Sequence, residues 1–487
     1  MKTGNDAFTH EVGFVVNAKG YLLALRGLPS ARINDILIDE NGNKAIIVSL
    51  DEENVHALLL SDIFVKAGDV FSLMPNKLEY SLGKHLFGRI INVFGDPVDG
   101  KGSFPKKNAS LTFERPAPGV STRKEITDQF ETGISAVDIL YPIGKGQRQL
   151  LFGPTSSGKT TFIRDVIVNQ KGKNIICIYA GIGKPKTFIE RFADSVFSQG
   201  ADTYTIIMAA FAEEQTSIAS IVPTISLFMA EYFCRSGKDV LLILDDLGTH
   251  SKYMREISLL MGQIPGRQSY PGDIFYQHAH LLELAGNFSE DYGGSSITLL
   301  PVLETDIENF TDLIPTNLMA MTDGHLFFSP ELRSEGYYPS IAIDRSVTRV
   351  GRQTQRAIQK ELSTRIMMLF AEFKKQEEYS RFGTNLSSKT KNTLRQGELI
   401  LELLKQDPFE ILREETQIAL LSLVFTDFLE KRERPFLEKC KKELINAIVN
   451  DSRLADIRKL VSDNTVSFSD FIQEYNKKTP VLESICQ

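Results

Sequence analysis

Between residues 11 and 74, apolar positions come in short runs separated by turn residues. The runs are 14–17, 21–25, 33–38, 44–50, 56–60 and 69–73. Ala18-Lys19-Gly20, Asp39-Glu40-Asn41-Gly42 and Asp51-Glu52-Glu53 stand between them, and these are tight-turn compositions. Six short strands joined by tight turns predict a small closed barrel, because closure leaves no unpaired strand edge. The pattern changes beyond Leu78. A Pro-rich connector, Arg115-Pro116-Ala117-Pro118-Gly119, is followed by continuous apolar runs at 149–152, 174–180, 203–208, 240–244 and 297–302. Helical patterns fill the gaps, and such an alternation implies a parallel sheet covered on both faces. From Arg352 the period changes again. Leu362, Ile366, Leu369, Phe370 and Phe373 fall on one helical face, and further helical patterns occupy 398–405, 416–431 and 435–449. The expected organisation is multi-domain: an N-terminal β-barrel over 1–76, a central α/β domain over 77–351 and a C-terminal α-helical domain over 352–487.

The 487 residues are 42% hydrophobic and 24% charged, an ordinary globular composition. Lys and Arg total 55 against 62 Asp and Glu, a net charge of −7. That balance argues against a surface built to grip nucleic-acid phosphates. Cys177, Cys234, Cys440 and Cys486 have no paired spacing, so neither a disulfide framework nor a zinc site is expected, and a reducing compartment fits. The most apolar stretch, 215–230, is uncharged but contains Pro223. It falls short of the roughly 20 residues that a membrane span needs and is expected to be a buried helix. Residues 1–10 are polar, with no apolar signal core. The expectation is a soluble protein that meets a membrane only through partners.

The chemistry is concentrated in Gly153-Pro154-Thr155-Ser156-Ser157-Gly158-Lys159-Thr160, which matches G-x-x-x-x-G-K-[ST] between an apolar run and a helical pattern starting at Thr161. That setting is the one a phosphate loop requires. Its glycines let backbone N–H groups surround phosphate oxygens, and the following helix N-terminus adds its positive end. Lys159 would set a cation on the β- and γ-phosphates, and the Thr160 hydroxyl would ligate Mg²⁺. The plain alternative is a glycine-rich turn with a surface lysine. A second element is the apolar run 240–244 ending in Asp245-Asp246. A carboxylate at the end of a central parallel strand can hold the water shell of Mg²⁺. Asp245, first off the strand, is the candidate, whereas Asp246 also suits a helix N-cap.

With these motifs in view, the sequence resembles the α subunits of F-type (F1) ATP synthases and F1-like rotary ATPases, from about residue 11 to at least 405. The likeness is carried by Arg115-Pro116-Ala117-Pro118-Gly119, Tyr141-Pro142-Ile143-Gly144-Lys145-Gly146-Gln147-Arg148 and the phosphate loop. Pro265-Gly266-Arg267-Gln268-Ser269-Tyr270-Pro271-Gly272-Asp273, Ile314-Pro315-Thr316-Asn317, Thr322-Asp323-Gly324 and Ser346-Val347-Thr348-Arg349-Val350-Gly351 carry it further. The resemblance implies a β-barrel, a RecA-like P-loop NTPase domain and a helical domain. It implies ATP or ADP with Mg²⁺, bound through Gly153 to Thr161 and Asp245, the metal on Thr160 and, through water, on Asp245. It implies an alternating α3β3 ring with β-type subunits around a γ-type central shaft, a stator subunit, and no nucleic acid. The place implied is peripheral, on the cytoplasmic face of a membrane, which in a bacterium is the inner membrane. Its nucleotide site would be non-catalytic, and Arg349 would be the arginine finger reaching into a β-type catalytic site.

Residues at the reaction centre point the same way. Hydrolysis needs a group that orients or deprotonates water. Catalytic relatives carry a glutamate just past the strand after the phosphate-loop helix, and here Lys184 stands there, in Gly181-Ile182-Gly183-Lys184-Pro185. An ammonium cannot accept a proton at neutral pH. The family's α pattern has glutamine there and Asp-Arg-Gln-Thr within the loop, so Lys184 and Pro154 to Ser157 depart from it. Glu190 is a substitute base or a solvated helical residue. Tyr338 in Tyr337-Tyr338-Pro339 resembles the β-type tyrosine that stacks on adenine, or packs in the core. About ten residues precede the barrel, fewer than the family's stalk-docking helix. Two other readings compete. A self-sufficient export-type ring ATPase would need the glutamate that Lys184 replaces. A terminator-type nucleic-acid translocase would need a basic, aromatic-studded barrel.

Overall fold

The computed structural model describes residues 11–74, 78–113, 115–306, 309–380, 387–463 and 465–486. The expected boundary at 76/77 lies outside the described residues. Contacts divide the chain into two compact units, one of residues 1–124 and 171–322 and the other of 125–170 and 323–487.

The first unit opens with β1 (Val12–Lys19), β2 (Leu22–Arg26), β3 (Ile36–Ile38), β4 (Lys44–Leu50), β5 (Val55–Leu59) and β6 (Val70–Leu73). They close into a barrel in the order β1-β2-β5-β4-β3-β6. Alternation sets the faces: Val15 is buried while its neighbours Phe14 and Val16 are exposed. Leu23, Leu25, Ile47, Leu59 and Phe71 fill the interior with Val15. The third run is shorter than its apolar pattern predicts. Asn34 has φ 73°, and the Arg32 N–H donates to Asp35 Oδ2 at 2.8 Å, so a turn takes residues 32–35.

The remaining strands used below are β7 (Arg89–Ile91), β8 (Gln149–Gly153), β9 (Ile175–Lys184), β10 (Thr205–Phe211), β11 (Asp239–Asp245), β12 (Ser296–Glu304), β13 (Gly324–Phe327) and β14 (Val347–Thr348). In the first unit β12, β11, β9, β10 and β7 pair in that order, all parallel. Helices α1 (Lys159–Val168), α2 (Lys186–Phe197), α3 (Val222–Arg235) and α4 (Leu247–Leu260) follow strands as the alternation predicts. The stretch Thr216–Arg235 has the length and apolarity of a membrane span, but most of it is buried within the unit, the placement expected of it. The four cysteines are free, and three are buried.

The second unit holds β8 parallel to β13, with β14 antiparallel on the other side of β13. Its helical part includes α5 (Ala357–Ser380), α6 (Ser388–Leu404), α7 (Glu414–Ser422) and α8 (Arg434–Asn450). Leu362, Ile366, Phe370 and Phe373 are buried, so the face read from their spacing is the packed one. The pattern at 416–431 is not one helix. α7 stops at Ser422, a 3₁₀ turn follows over Leu423–Phe425, and Thr426 turns extended. The Thr426 hydroxyl donates to the Leu423 carbonyl at 2.7 Å, taking an acceptor that helix continuation would have used.

Candidate functional site

In the second unit, the phosphate loop leaves β8 and runs directly into α1. Gly153 has φ 151° and Gly158 φ 105°; a Cβ on Gly153 would meet the Phe328 carbonyl and one on Gly158 the Ser340 hydroxyl. Glycine is therefore required at both ends of the loop. No side chain caps α1, whose N-cap is Gly158, so the helix presents uncapped N–H groups. Lys159 is buried, and its ammonium donates to the carbonyls of Gly153 at 2.8 Å and Pro154 at 2.7 Å. Those bonds hold the cation over the loop's own concave side. Ser340 braces the loop by donating to the Ser157 carbonyl. Thr155 and Ser156 are exposed, Pro154 and Thr160 half-buried. The Tyr338 ring is buried, and its hydroxyl donates to Asp165 Oδ2 on α1 at 2.5 Å, the core placement rather than an open stacking face.

In the first unit, Lys184 and the acidic pair meet. β9 runs parallel to β11 with Gly181 opposite Asp245. The strand extends to Lys184, four residues past the apolar run read from the sequence, because Gly181 and Ile182 keep their pairing with β10 and only Gly183 bulges out before Lys184. Gly183 takes φ +63° there, and a Cβ would strike Tyr253. The Lys184 ammonium thereby reaches Asp245 Oδ1 at 2.8 Å and Asp246 Oδ2 at 3.4 Å. Its side chain is only 13% exposed, and those of Asp245 and Asp246 are 3% and 2%. Burial pulls the ammonium's pKa down, but the charges of Asp245, Asp246 and Glu304 outweigh it and hold it above the ordinary lysine value. Lys184 is thus a fixed cation. Asp245 Oδ2 also accepts from the Tyr179 hydroxyl at 2.6 Å. Burial first, then Asp245, pushes that phenol well above its ordinary range, so it remains a donor.

Asp246 is the N-cap of α4, accepting the Thr249 N–H at 2.6 Å and its hydroxyl at 3.0 Å. Burial raises its carboxyl above the usual range despite Lys184. Both Asp245 oxygens are therefore engaged by side chains of the chain itself. Each oxygen of an ionised carboxylate has a second acceptor position, so Asp245 keeps room for further donors. Among the described residues no group of three or more His, Cys, Asp or Glu is placed to bind a metal ion. Glu190 is exposed on α2.

Arg349 follows β14 and is exposed. Its backbone N–H donates to the Asp323 carbonyl at 2.9 Å, and the Asp323 carboxylate takes a forked ion pair from Arg148, at 2.9 and 2.7 Å. Gln147 donates to Gln149 at 2.9 Å and to the Thr348 hydroxyl at 3.3 Å, and Thr348 donates to the Pro142 carbonyl at 3.0 Å. Gly324 lets β14 come close: a Cβ would meet the Val347 carbonyl. Three motifs far apart in sequence are thus tied into one rigid base beneath Arg349. Sequence reasoning missed Arg148, Asp323, Tyr179 and Asp165 as parts of these clusters. The one local signal was Tyr179, a lone phenol inside an aliphatic run.

Residues 133–348 match the family model described as ATP synthase alpha/beta family, nucleotide-binding domain, and residues 355–476 that of the ATP synthase alpha/beta chain, C terminal domain. The chain belongs to the ATP synthase alpha/beta family. Among its relatives, an ATP synthase subunit alpha of Caldanaerobacter subterraneus subsp. tengcongensis is 35% identical over 476 residues, 96% of this chain and 94% of the relative. Another from Petrotoga mobilis is 36% identical over 472 residues, 94% of each. A third, from Mycoplasmoides gallisepticum, is 34% identical over 483 residues, 97% of this chain and 93% of the relative. Coverage of this extent takes in the barrel as well as the two matched regions, and the family architecture of barrel, nucleotide-binding α/β domain and helical domain is the one observed.

Proposed function

We propose that the chain is the alpha-type ring subunit of an F-type ATP synthase or F1-like rotary ATPase. It binds ATP or ADP at Gly153 to Thr161 without hydrolysing it, with Tyr338 bracing α1 through Asp165, and it lends Arg349 to the catalytic site of a β-type neighbour. The observation that carries the non-catalytic reading is Lys184. Where a base must stand, the chain holds an ammonium paired to Asp245 and Asp246, and an ammonium cannot accept a proton. The same residue argues against a self-sufficient export-type ATPase.

Mg²⁺, when bound with nucleotide, neutralises phosphate charge; Thr160 is the residue here that would ligate it. Arg349, whose backbone is tied to Asp323, carries an exposed guanidinium that would offset charge developing on a neighbour's phosphoryl group. The partners proposed are β-type subunits in an alternating ring, a γ-type shaft and a stator. The complex is peripheral to a membrane on its cytoplasmic face. The working domain division is 1–76, 77–351 and 352–487.

ATP hydrolysis by the full chain alone, with its β-type partner, and with the partner and Arg349→Ala tests this. The chain alone is expected to show none, and the complex to turn over. Arg349→Ala should lower turnover by about 10³-fold or more, as for other arginines supplied in trans. Robust turnover by the chain alone, or a complex indifferent to Arg349→Ala, overturns the reading.

A further inference from the structure

We propose that His325 is a positioning residue for Arg349: its neutral imidazole stands beside that arginine on one face of β13 and β14, and a proton taken up there would weaken what Arg349 does for a neighbour. This rests on the arginine reading above. Strand pairing in the second unit sets the face. His325 lies opposite Val347 of β14 and opposite Leu150 of β8. Residues two apart on a strand share a face. Arg349 and Phe152 are therefore diagonal neighbours of His325, within reach of long and aromatic side chains. The Arg349 N–H donates to the Asp323 carbonyl at 2.9 Å, which carries the pairing one residue past β14 and keeps Arg349 in this register. On the other side, the Phe152 ring meets the imidazole edge-on with centroids 5.4 Å apart.

The charged side chains on the neighbouring strands and the segment before β14 are Arg148, Asp323, Arg345 and Arg349. Arg148 and Asp323 pair with each other, and the Arg345 guanidinium lies over the Phe327 ring at 5.5 Å. The His325 ring is half-buried, and its Nδ1 is buried without a hydrogen-bond partner. An imidazolium would thus carry one N–H with no acceptor. Burial lowers the imidazole's pKa from its ordinary value and the Arg349 charge lowers it further, against a hydrogen bond to the Arg345 backbone. The ring is set to stay neutral at neutral pH. In acid it becomes a second cation beside the guanidinium. Arg349 is exposed, so its side chain has room to turn away from that charge and lose its aim.

Two measurements test this. The first is a histidine C–H NMR titration of the full chain, with the His325 signal assigned from its loss in His325→Gln or His325→Phe. Its midpoint should lie below the ordinary histidine value and should move up in Arg349→Ala, which removes the neighbouring cation. A midpoint indifferent to Arg349→Ala overturns the inference, whether or not the complex assembles. The second is ATP turnover by the complex with its β-type partner, as a function of pH, for the wild type, His325→Gln and His325→Phe. Neither replacement titrates, and Phe keeps a ring against Phe152. Turnover of the wild type relative to either variant should fall by about threefold or more between pH 8 and pH 5. A ratio that stays flat, or that rises in acid, overturns the inference. A complex indifferent to Arg349→Ala removes the arginine reading and this inference with it. Sensitivity to Arg349→Ala with a flat or rising ratio removes only the inference.

Discussion

Tyr338 and Asp165 form a buried acid–phenol pair whose strength depends on a proton. Burial pushes the Asp165 carboxyl up to about 6, against hydrogen bonds from Tyr338 and the Phe409 N–H that pull it down. The folded state thus binds this proton more tightly than the unfolded chain, whose carboxyl stays near 3.8. The stability linked to it is fully present below the unfolded value and is lost as pH rises through about 6, on the order of 3 kcal/mol in all. Tyr338→Phe removes a donor to the ionised carboxylate. The expected cost is about 1–3 kcal/mol near neutral pH and markedly less near pH 5, where the carboxyl is protonated. Urea unfolding of both proteins at the two pH values measures it, and equal losses at both would break the link. None of this pairing was legible in the sequence, because 173 residues separate the partners. The phosphate loop was legible, since its chemistry is written in consecutive residues. Lys184 was legible as a missing base but not as a partner of Asp245, which depends on strand register.

For the elements, legibility followed locality. The six barrel runs could be read because each turn carries its own signal. β9 was read too short because glycines in 181–183 resemble a loop, yet Gly181 pairs with both β10 and β11, and Ile182 and Lys184 pair with β10 on either side of the bulge at Gly183. The packing of α5 on α6 is likewise hidden in sequence. Gly397, inside α6, looks like a helix weakness, but a Cβ there would strike the Phe373 side chain of α5. Two effects oppose each other in Gly397→Ala: a propensity gain of about 1 kcal/mol and an overpacking cost of typically about 1–3 kcal/mol. Phe373 is buried and hard to move, so the cost should win. A net loss of about 1 kcal/mol is expected by denaturant titration. A stabilised Gly397→Ala chain would show that Phe373 swings aside.

For the whole molecule, the non-catalytic role is not one substitution deep. Lys184→Glu restores the residue type a hydrolytic site uses, but it puts a third carboxylate beside Asp245 and Asp246, with Glu304 also near. That loses the cation paired with Asp245 and Asp246, and such buried charge is strongly destabilising unless it takes up a proton. The expected result is no ATP turnover above background by the purified Lys184→Glu chain, together with a lower unfolding midpoint. Turnover by that variant alone would mean that the rest of a catalytic site is already in place.

The interleaving of the two units carries a further consequence. The chain leaves the first unit at residue 124, returns to it at 171 and quits it after 322. A ribosome therefore releases the start of the second unit before the first is finished. The early segment with β8 and α1 must wait for β13, β14 and the helices that complete its unit. Excising 352–487 as a separate piece would strand that segment, so biosynthesis of this protein is a task for the intact polypeptide rather than for parts made one at a time.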